Sequence, residues 1–532
     1  MIAIFIFLSK KMKFKMPSCK DIIAIYHYYM IIDYIQVNAN APIYKFECPS
    51  DANVVFLDTI ENQIYDLTSI PRCAEHIRFG NYFNQEIEKN VLPAGLKSIQ
   101  FGAYFNQKIK KDVLPAGLQS IMFNHGDKFN QEIEKDVLPA GLQLIIFGWD
   151  FNQEIGPNVL PAGLQSIEFG CCYNQPIKEG VLPAGLQSIE FGYAFNQEIG
   201  PNVLPAGLQS IKFCDDFNQK IGLNVLPAGL QSIEFGCIYD QPINEDVLPV
   251  GLQSIVFGYK FNQKIGANIL TKVLPYKLQS IVFGYKFNQS IKEGVLPTEL
   301  RLLKLGFEFN QPIIQGVLPA GLQSLEFSTY FNQPIEKGVL PVELQSIIFG
   351  NLFNQPIKKN VLPAELQSIV FGYEFNQPIK KDVLPTKLQS IVFGYKFNQP
   401  IKKDVFPQGL KLIEFSESFN QPIEKDVVPA GLESIKFGCK FYQSIDNIPE
   451  KTKLYIQNVP QIMMRNYTFY HCCKQDLAKI IENINKEKIG EIYTSKINDY
   501  EYFMVDVEIT KPNINKEKIK ELIRQLKKEL QF

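Results

Sequence analysis

The chain has 532 residues, and its 54 lysines and arginines are matched by 55 aspartates and glutamates, so the formal net charge is −1. Such an even balance excludes the strong positive field that drives binding to nucleic acids or anionic membranes, and we expect neither as a partner. The 10 cysteines follow neither a repeat period nor a Cys-x-x-Cys spacing, which is typical of free thiols in a reducing, intracellular compartment.

An apolar N-terminal segment is predicted for residues 1–45. Its first part, Met1–Leu8, is uncharged and the lysines follow it, which is the reverse of the order in a secretory signal. The stretch is also too short to span a bilayer. We expect an unstructured extension here, or a start of translation at Met12 or Met16, and the alternative is a weak membrane anchor. The apolar run that follows predicts a buried helix or a pair of strands.

A repeat dominates the middle of the chain. Seventeen copies of Phe-Asn-Gln or a close variant run from Phe83 to Phe441, usually 22 residues apart. A fixed period of about 20 to 50 residues is typical of solenoids, in which each repeat packs mainly on its neighbours. We therefore predict a repeat solenoid over residues 83–446. Degenerate halves of the repeat precede it, so residues 46–82 are predicted to form its N-terminal cap.

Each copy contains one short predicted strand, such as Leu96–Phe101, in which apolar and polar residues alternate. All copies run in the same direction, so the strands should form a parallel β-sheet joined by short turns. The Pro-Ala-Gly turn before the strand carries Glu or Lys in place of Gly in other copies, so no positive φ is expected there. In one copy we expect these residues to form a single buried layer: Phe105, Ile109, Val113, Leu114, Leu118, Ile121 and Phe123.

The asparagine of each copy is predicted to point inward. Its amide carries both donors and an acceptor, so it can satisfy backbone groups of the turns and form an asparagine ladder. Asp240 and Tyr442 are expected to interrupt this ladder. Two steps are longer than the others, the 24-residue step that ends at Asn130 and the 26-residue step that ends at Asn288. Their extra residues are expected to bulge from turns and leave the ladder intact.

The repeat stops near residue 447, and we predict a small α/β C-terminal cap over 447–532. Apolar residues recur at helical spacing in 477–484 and 519–530. Two alternating stretches between them, 491–493 and 500–508, predict strands.

Four copies read Phe-Asn-Gln-Pro-Ile, at residues 331–335, 353–357, 375–379 and 397–401. This repeat resembles the FNIP repeat family, named for a Phe-Asn-Ile-Pro core, with Gln in place of the family's Ile. The family is known from social amoebae and from giant viruses that infect amoebae, and it is a relative of the leucine-rich repeats. The resemblance therefore implies a leucine-rich-repeat-like solenoid. Some members carry an F-box-like N-terminal segment that recruits a ubiquitin ligase scaffold, and the resemblance leaves this role open for residues 1–45.

Functional residues are expected where the copies differ. In the strand motif Leu-x-x-Ile-x-Phe-Gly, the third, fifth and seventh positions are predicted to face away from the core, and the fifth position varies. The two residues before each Phe-Asn-Gln, here called the rim residues, vary as well. Apolar and aromatic residues at these positions form three candidate patches, a composition typical of protein interfaces. Patch one contains Met122, Leu144, Ile146 and Trp149; patch two contains Val256, Tyr259, Val282 and Tyr285; patch three contains Ile348, Val370, Tyr373, Val392 and Tyr395. The alternative is that β-branched residues merely suit exposed strands.

No catalytic residue, cofactor or metal site is predicted. The 4 histidines fall in no metal or triad motif, and the adjacent His471, Cys472 and Cys473 would strain a tetrahedral site. The sequence favours a non-enzymatic scaffold that binds a protein partner. One alternative is a substrate receptor of a cullin-type ubiquitin ligase, recruited through an adaptor. Another is a structural or self-assembling protein.

Overall fold

The structure is a computed structural model, and it describes residues 54–57, 64–123, 128–266, 273–438, 440–441, 443–456, 493–497 and 500–504. Residue contacts divide the chain into two units, the first made of 1–46 and 63–66 and the second of 47–62 and 67–532. Of the first unit only Ile64–Asp66 is described.

A parallel β-sheet of 19 strands forms most of the described part of the second unit, and the order of the strands in the sheet is their order in the chain. Its strands are β1 Val54–Leu57, β2 His76–Phe79, β3 Ser98–Phe101, β4 Ser120–Phe123, β5 Leu144–Ile146, β6 Ser166–Glu168, β7 Ser188–Glu190, β8 Ser210–Lys212, β9 Ser232–Glu234, β10 Ser254–Val256, β11 Ser280–Val282, β12 Leu302–Lys304, β13 Ser324–Glu326, β14 Ser346–Ile348, β15 Ser368–Val370, β16 Ser390–Val392, β17 Leu412–Glu414, β18 Ser434–Phe437 and β19 Lys453–Ile456. A short 3₁₀ helix, Leu67–Ser69, precedes β2. The predicted parallel solenoid is thus confirmed, and its sheet extends beyond 83–446 at both ends.

The predicted buried layer is confirmed in the coil of β4, a coil being one repeat with its strand, and in most other coils, although some of its positions are half-buried, as at Ile243 and Ile357. In the coil of β4, Leu118 and Ile121 are fully buried, and Phe105 and Phe123 are almost so. The two phenylalanines of a coil stack face to face, as Phe371 does on Phe375 with ring centroids 3.9 Å apart. Rings also stack on their equivalents in the next coil, as Phe371 does on Phe393 with centroids 5.7 Å apart. Two columns of aromatic rings thus run along the core, and Leu305 interrupts one of them.

The tight turn that each coil needs lies before Val-Leu-Pro and not at the glycine of Pro-Ala-Gly. The residue at this turn adopts a left-handed conformation, with φ of 64° at Asp112 and 63° at Asn202. Asn and Asp tolerate this conformation, and Gly replaces them in some coils, as at Gly180 with φ of 79°. The expectation that Gly95 needs no positive φ is confirmed, because the left-handed residues of its coil include Asn90 and not Gly95.

An asparagine ladder runs from Asn84 to Asn420, as predicted, but most of its side chains are half-buried, and Asn84 and Asn310 are exposed. In the ladder bonds the asparagine side chain accepts through Oδ1. The backbone N–H of Asn218 donates to Oδ1 of Asn196 at 2.9 Å, and Nε2 of Gln219 donates to the same oxygen at 3.1 Å. The glutamine of Phe-Asn-Gln is therefore a second member of the ladder, which the sequence did not reveal. The prediction that Asp240 interrupts the ladder is wrong, because its carboxylate accepts the Asn262 N–H at 2.9 Å. Tyr442 lies outside the described residues.

The two longer repeats keep the sheet in register, as predicted. Ile121 still pairs with Ile145 between β4 and β5, and Ile255 pairs with Ile281 between β10 and β11. Most of the extra residues fall in 124–127 and 267–272, which lie outside the described residues.

The predicted terminal segments are described only in part. Residues 1–45 and the predicted helices at 477–484 and 519–530 lie outside the described residues. Within the predicted C-terminal cap, β20 Tyr493–Ile497 and β21 Tyr500–Met504 form an antiparallel pair.

Candidate interaction surface

The strands of the repeats present one row of variable side chains to solvent. In β6, for example, the central Ile167 is buried, while Ser166 and Glu168 on either side are half-exposed. Pairing in register then places the fifth position of each coil beside the fifth position of the next, as Glu168 beside Glu190. The third and fifth positions therefore face away from the core, as predicted.

The prediction that the seventh position also faces away from the core is wrong. Gly192 is buried against the preceding coil, and a Cβ added to it would lie 1.7 Å from the carbonyl oxygen of Gly170. Gly372 would meet the oxygen of Gly350 at 1.9 Å. At these glycines the backbones of neighbouring coils approach too closely for a side chain. The exposed surface consequently comprises the third and fifth positions and the rim residues.

Patch one is brought together by β4 and β5. Met122 pairs in register with Ile146, and Leu144 stands between two serines in the third-position row. Trp149 follows at the rim with 51% of its surface exposed. Beyond Ile146 the row continues with Glu168, so the apolar part of the patch is two strands wide.

Patch two joins two strands to a column of stacked rings. Val256 pairs with Val282, and the rings of Tyr259 and Tyr285 stack 4.4 Å apart. The column continues through Phe307, which stacks on Tyr285 at 4.2 Å, and Tyr330, which meets Phe307 edge to face at 5.1 Å. The sequence did not reveal the last two rings, although both occupy rim positions, because their neighbours at the fifth position are charged.

Patch three is the widest of the three. Ile348, Val370 and Val392 pair in register across β14, β15 and β16. Beside them Tyr373 and Tyr395 stack 4.5 Å apart and within 3° of parallel. The sequence did not single out Leu352, a rim residue 40% exposed next to this patch.

Charged rim residues border patch three next to its tyrosines. Lys396 forms an ion pair with Glu374 at 2.8 Å, and its ammonium lies 5.9 Å from the centre of the Tyr373 ring. Such contacts favour this orientation of the tyrosine ring. The stacked arrangement of the two rings is thus present without a partner.

Three of the thiols, those of Cys171, Cys214 and Cys237, are not activated nucleophiles. Burial raises the pKa of Cys214 to about 12, and a hydrogen bond to Asp215 raises that of Cys237 to about 11. Burial also raises the pKa of the Cys171 thiol. These thiols stay protonated at neutral pH, whereas a nucleophilic cysteine needs a lowered pKa. In the same described ranges, no group of His, Cys, Asp and Glu could hold a metal ion, and no helix is long and apolar enough to cross a bilayer.

A family model described as FNIP Repeat matches ten segments of the chain. They are residues 62–104, 83–126, 129–172, 173–215, 195–238, 239–270, 268–308, 309–352, 353–396 and 397–440. The chain belongs to the FNIP repeat family. The FNIP matches run from residue 62 to residue 440, so all three patches lie on FNIP coils.

A solved structure resembles these FNIP coils. CroV588, a circular leucine-rich-repeat protein from a giant virus, is 38% identical, with a TM-score of 0.64 over 77% of this chain and 66% of that one. The FNIP chain thus spans slightly less than two thirds of CroV588. The Toll–Spatzle complex of Drosophila matches at 11% identity over 77% of this chain and 56% of that one, with a TM-score of 0.42. No curated protein sequence matches the chain significantly. The fold is a leucine-rich-repeat-like solenoid, a kind typical of protein-interaction scaffolds.

Proposed function

We propose that this FNIP protein is a non-enzymatic, intracellular scaffold that binds a protein partner through fifth-position and rim residues. The observation that carries the proposal is patch three. There, Ile348, Val370 and Val392 lie side by side on consecutive strands, next to the stacked pair Tyr373 and Tyr395.

The composition of patch three suits a binding site. Aromatic anchors surrounded by smaller apolar groups dominate the energetics of most protein interfaces. Ordering such side chains on association costs about 0.5–1.5 kcal/mol for each rotamer-rich group, so rings that are already stacked reduce this cost. Patches one and two also combine apolar fifth-position residues with aromatic rim residues, but on two strands each. We propose them as secondary contacts.

The charged coils between the patches support the same interpretation. From β6 to β9 the fifth positions are Glu168, Glu190, Lys212 and Glu234, and Lys212 is ion-paired with Glu190 at 2.5 Å. The repeat therefore tolerates charge at this position without loss of the strand. Apolar residues in patch three are then a feature of that region and not a requirement of the fold.

Site-specific photo-crosslinking in cells tests the proposal. A benzophenone amino acid replaces Tyr373 in one variant and Tyr193 in another; both tyrosines are rim residues, 44% and 53% exposed, and Tyr193 follows the charged strand β7. We expect a discrete crosslinked protein adduct from position 373 and none from position 193. Equal adducts at both positions, or none at position 373, would contradict the proposal.

A further inference from the structure

The two ends of patch three carry the same charge. In the row of fifth positions Glu326 pairs with Ile348 at one end, and Glu414 pairs with Val392 at the other. The lysines stand one strand farther out. Lys304 bonds to Glu326 at 2.7 Å, and Lys436 bonds to Glu414 at 2.7 Å. An apolar strip three strands wide is thus bordered first by carboxylates and only then by ammonium groups.

Patch two lacks this arrangement. Its two valines are bordered by Glu234 on the side of β9 and by Lys304 on the side of β12. An apolar segment of a partner with one kind of charge at both ends would therefore match patch three and not patch two. Because the immediate borders of patch three are acidic, the matching charge is positive.

The sheet face offers side chains and no backbone hydrogen bonds. The N–H of Phe349 donates to the carbonyl of Val370 at 2.8 Å, and the N–H of Phe371 donates to that of Val392 at 2.8 Å. An extended peptide lying on Ile348, Val370 and Val392 would leave its own polar backbone groups without partners. A helix satisfies its backbone internally, so it can place apolar side chains on such a strip without that cost.

The exposed tyrosine rings widen the apolar strip. Between the coils of β15 and β16, the ring separation is 4.5 Å for Tyr373 and Tyr395, against 5.7 Å for Phe371 and Phe393 and 6.0 Å for Phe375 and Phe397. The two exposed rings are thus in face-to-face contact and extend the apolar strip from the strands to the rim, where the side chains of a helix can pack on them.

We propose that patch three binds an amphipathic α-helix of the partner, laid across the strands, with an apolar stripe and a basic residue at each end. This inference rests on the proposed scaffold function and specifies its partner. Glu326 and Glu414 are four strand steps apart, which is roughly 19 Å at about 4.8 Å a step. That distance corresponds to about 13 residues of helix. A partner of this class carries two Lys or Arg residues at that spacing, with leucine-like residues on the same face between them.

The test uses stapled helical peptides of about 14 residues with one leucine face. One carries Lys at both ends, a second carries Glu at both ends, and a third has the Lys ends but prolines that prevent a helix. Binding to the full chain is measured by fluorescence anisotropy. We expect the Lys-ended helix to bind at least about tenfold more tightly than either of the others.

A charge-swapped variant makes the test specific to this patch. Lys304→Glu, Glu326→Lys, Glu414→Lys and Lys436→Glu together keep both ion pairs and the net charge but make the borders basic. The preference should then invert toward the Glu-ended helix. The matched control exchanges Glu190 and Lys212, an ion pair on β7 and β8, and should keep the original preference.

Three results would overturn the helix proposal. They are equal binding of the Lys-ended and Glu-ended helices, a preference that the swap leaves unchanged, and binding of the proline peptide as tight as that of the helix. Failure of every peptide to bind at millimolar concentration would also overturn it. The crosslinking at Tyr373 reports separately on the scaffold function, so a positive adduct with no helix binding would reject the helix alone.

Discussion

The backbone N–H of Asn288 donates to the side-chain oxygen of Asn262 at 3.0 Å, although 26 residues separate them. The N–H of Asn130 makes the same bond to Asn106 at 3.0 Å across a 24-residue step. One interaction therefore recurs unchanged where the length of the repeat changes. The constraint on each coil is the position of this amide and of the strand, and the number of residues between them is free to vary.

The ladder predicts different effects for two substitutions at Asn196. Asn196→Ala leaves the Asn218 N–H without its acceptor, the Asn196 Oδ1. The Gln219 amide loses its bond to the same oxygen but keeps its bond to the Asn196 backbone carbonyl at 3.0 Å. We expect a loss of about 1–3 kcal/mol in the free energy of unfolding, seen as a lower urea midpoint and faster hydrogen exchange at the Asn218 amide. Asn196→Asp keeps the acceptor and should retain most of the stability, as Asp240 does in its own coil. Equal losses in both variants would contradict a role through the oxygen.

The same ladder shows why one sequence prediction was wrong. Treating Asn as both donor and acceptor made Asp240 look like an interruption. The bonds to Asn196 and Asp240 use an oxygen acceptor, which Asp supplies equally well. The periodicity of 22 residues was enough to predict strands, register and buried layer, because every coil faces the same packing problem. It could not reveal which end of an amide the neighbouring coil uses.

Substitution by alanine should destabilise the protein at one glycine and leave its stability unchanged at another. Gly192→Ala would place a Cβ 1.7 Å from the carbonyl oxygen of Gly170, which only a shift of the backbone can relieve. We expect a loss of about 3 kcal/mol, measured by urea denaturation. Gly95→Ala is the matched control, since nothing lies within 4 Å of its added Cβ and its φ is not positive. The explanation fails if both variants are equally stable.

A pair of buried tyrosines should limit stability at alkaline pH. Tyr173 and Tyr239 replace the phenylalanine of Phe-Asn-Gln, and burial raises the pKa of both phenols above their usual value. Above about pH 10 the unfolded chain releases these protons and the folded chain keeps them, so stability falls as pH rises, by about 1.4 kcal/mol per pH unit for each tyrosine. Below that pH the two phenols cause no such loss.

The variant Tyr173→Phe, Tyr239→Phe should therefore flatten the fall in melting temperature between about pH 10 and 11. Tyr173→Phe alone should also raise stability at neutral pH by about 1 kcal/mol, because its hydroxyl is buried without a hydrogen-bond partner. Tyr193→Phe is the control, since Tyr193 is largely exposed and should change neither quantity. If the melting temperature of the double variant falls with pH as steeply as that of the original protein, these two phenols do not cause the loss of stability at alkaline pH.

The candidate surface was less predictable than the fold. Alternation along a strand places Val370 and Val392 on the solvent-facing side of the sheet and in one row. The repeat alone was enough to predict this placement. The repeat could not predict that the stack of Tyr259 and Tyr285 continues through Phe307, because this depends on how a rim side chain is oriented after the strand ends. Likewise, the burial of Gly192 depends on how closely two coils approach, which a one-dimensional pattern does not contain.

The largest aromatic residues of the patches should affect binding and not folding. Trp149 and Tyr373 are 51% and 44% exposed, so Trp149→Ala or Tyr373→Ala removes little buried surface and should leave the melting temperature within about 2 °C. Binding of the partner recovered at position 373 should weaken by about tenfold or more, because exposed aromatic anchors contribute most of the free energy at interfaces. Tyr193→Ala, from a coil with a charged fifth position, is the control and should change neither property. A large fall in melting temperature with unchanged binding would assign Trp149 and Tyr373 to the core, and the variable positions would then carry no information about a partner.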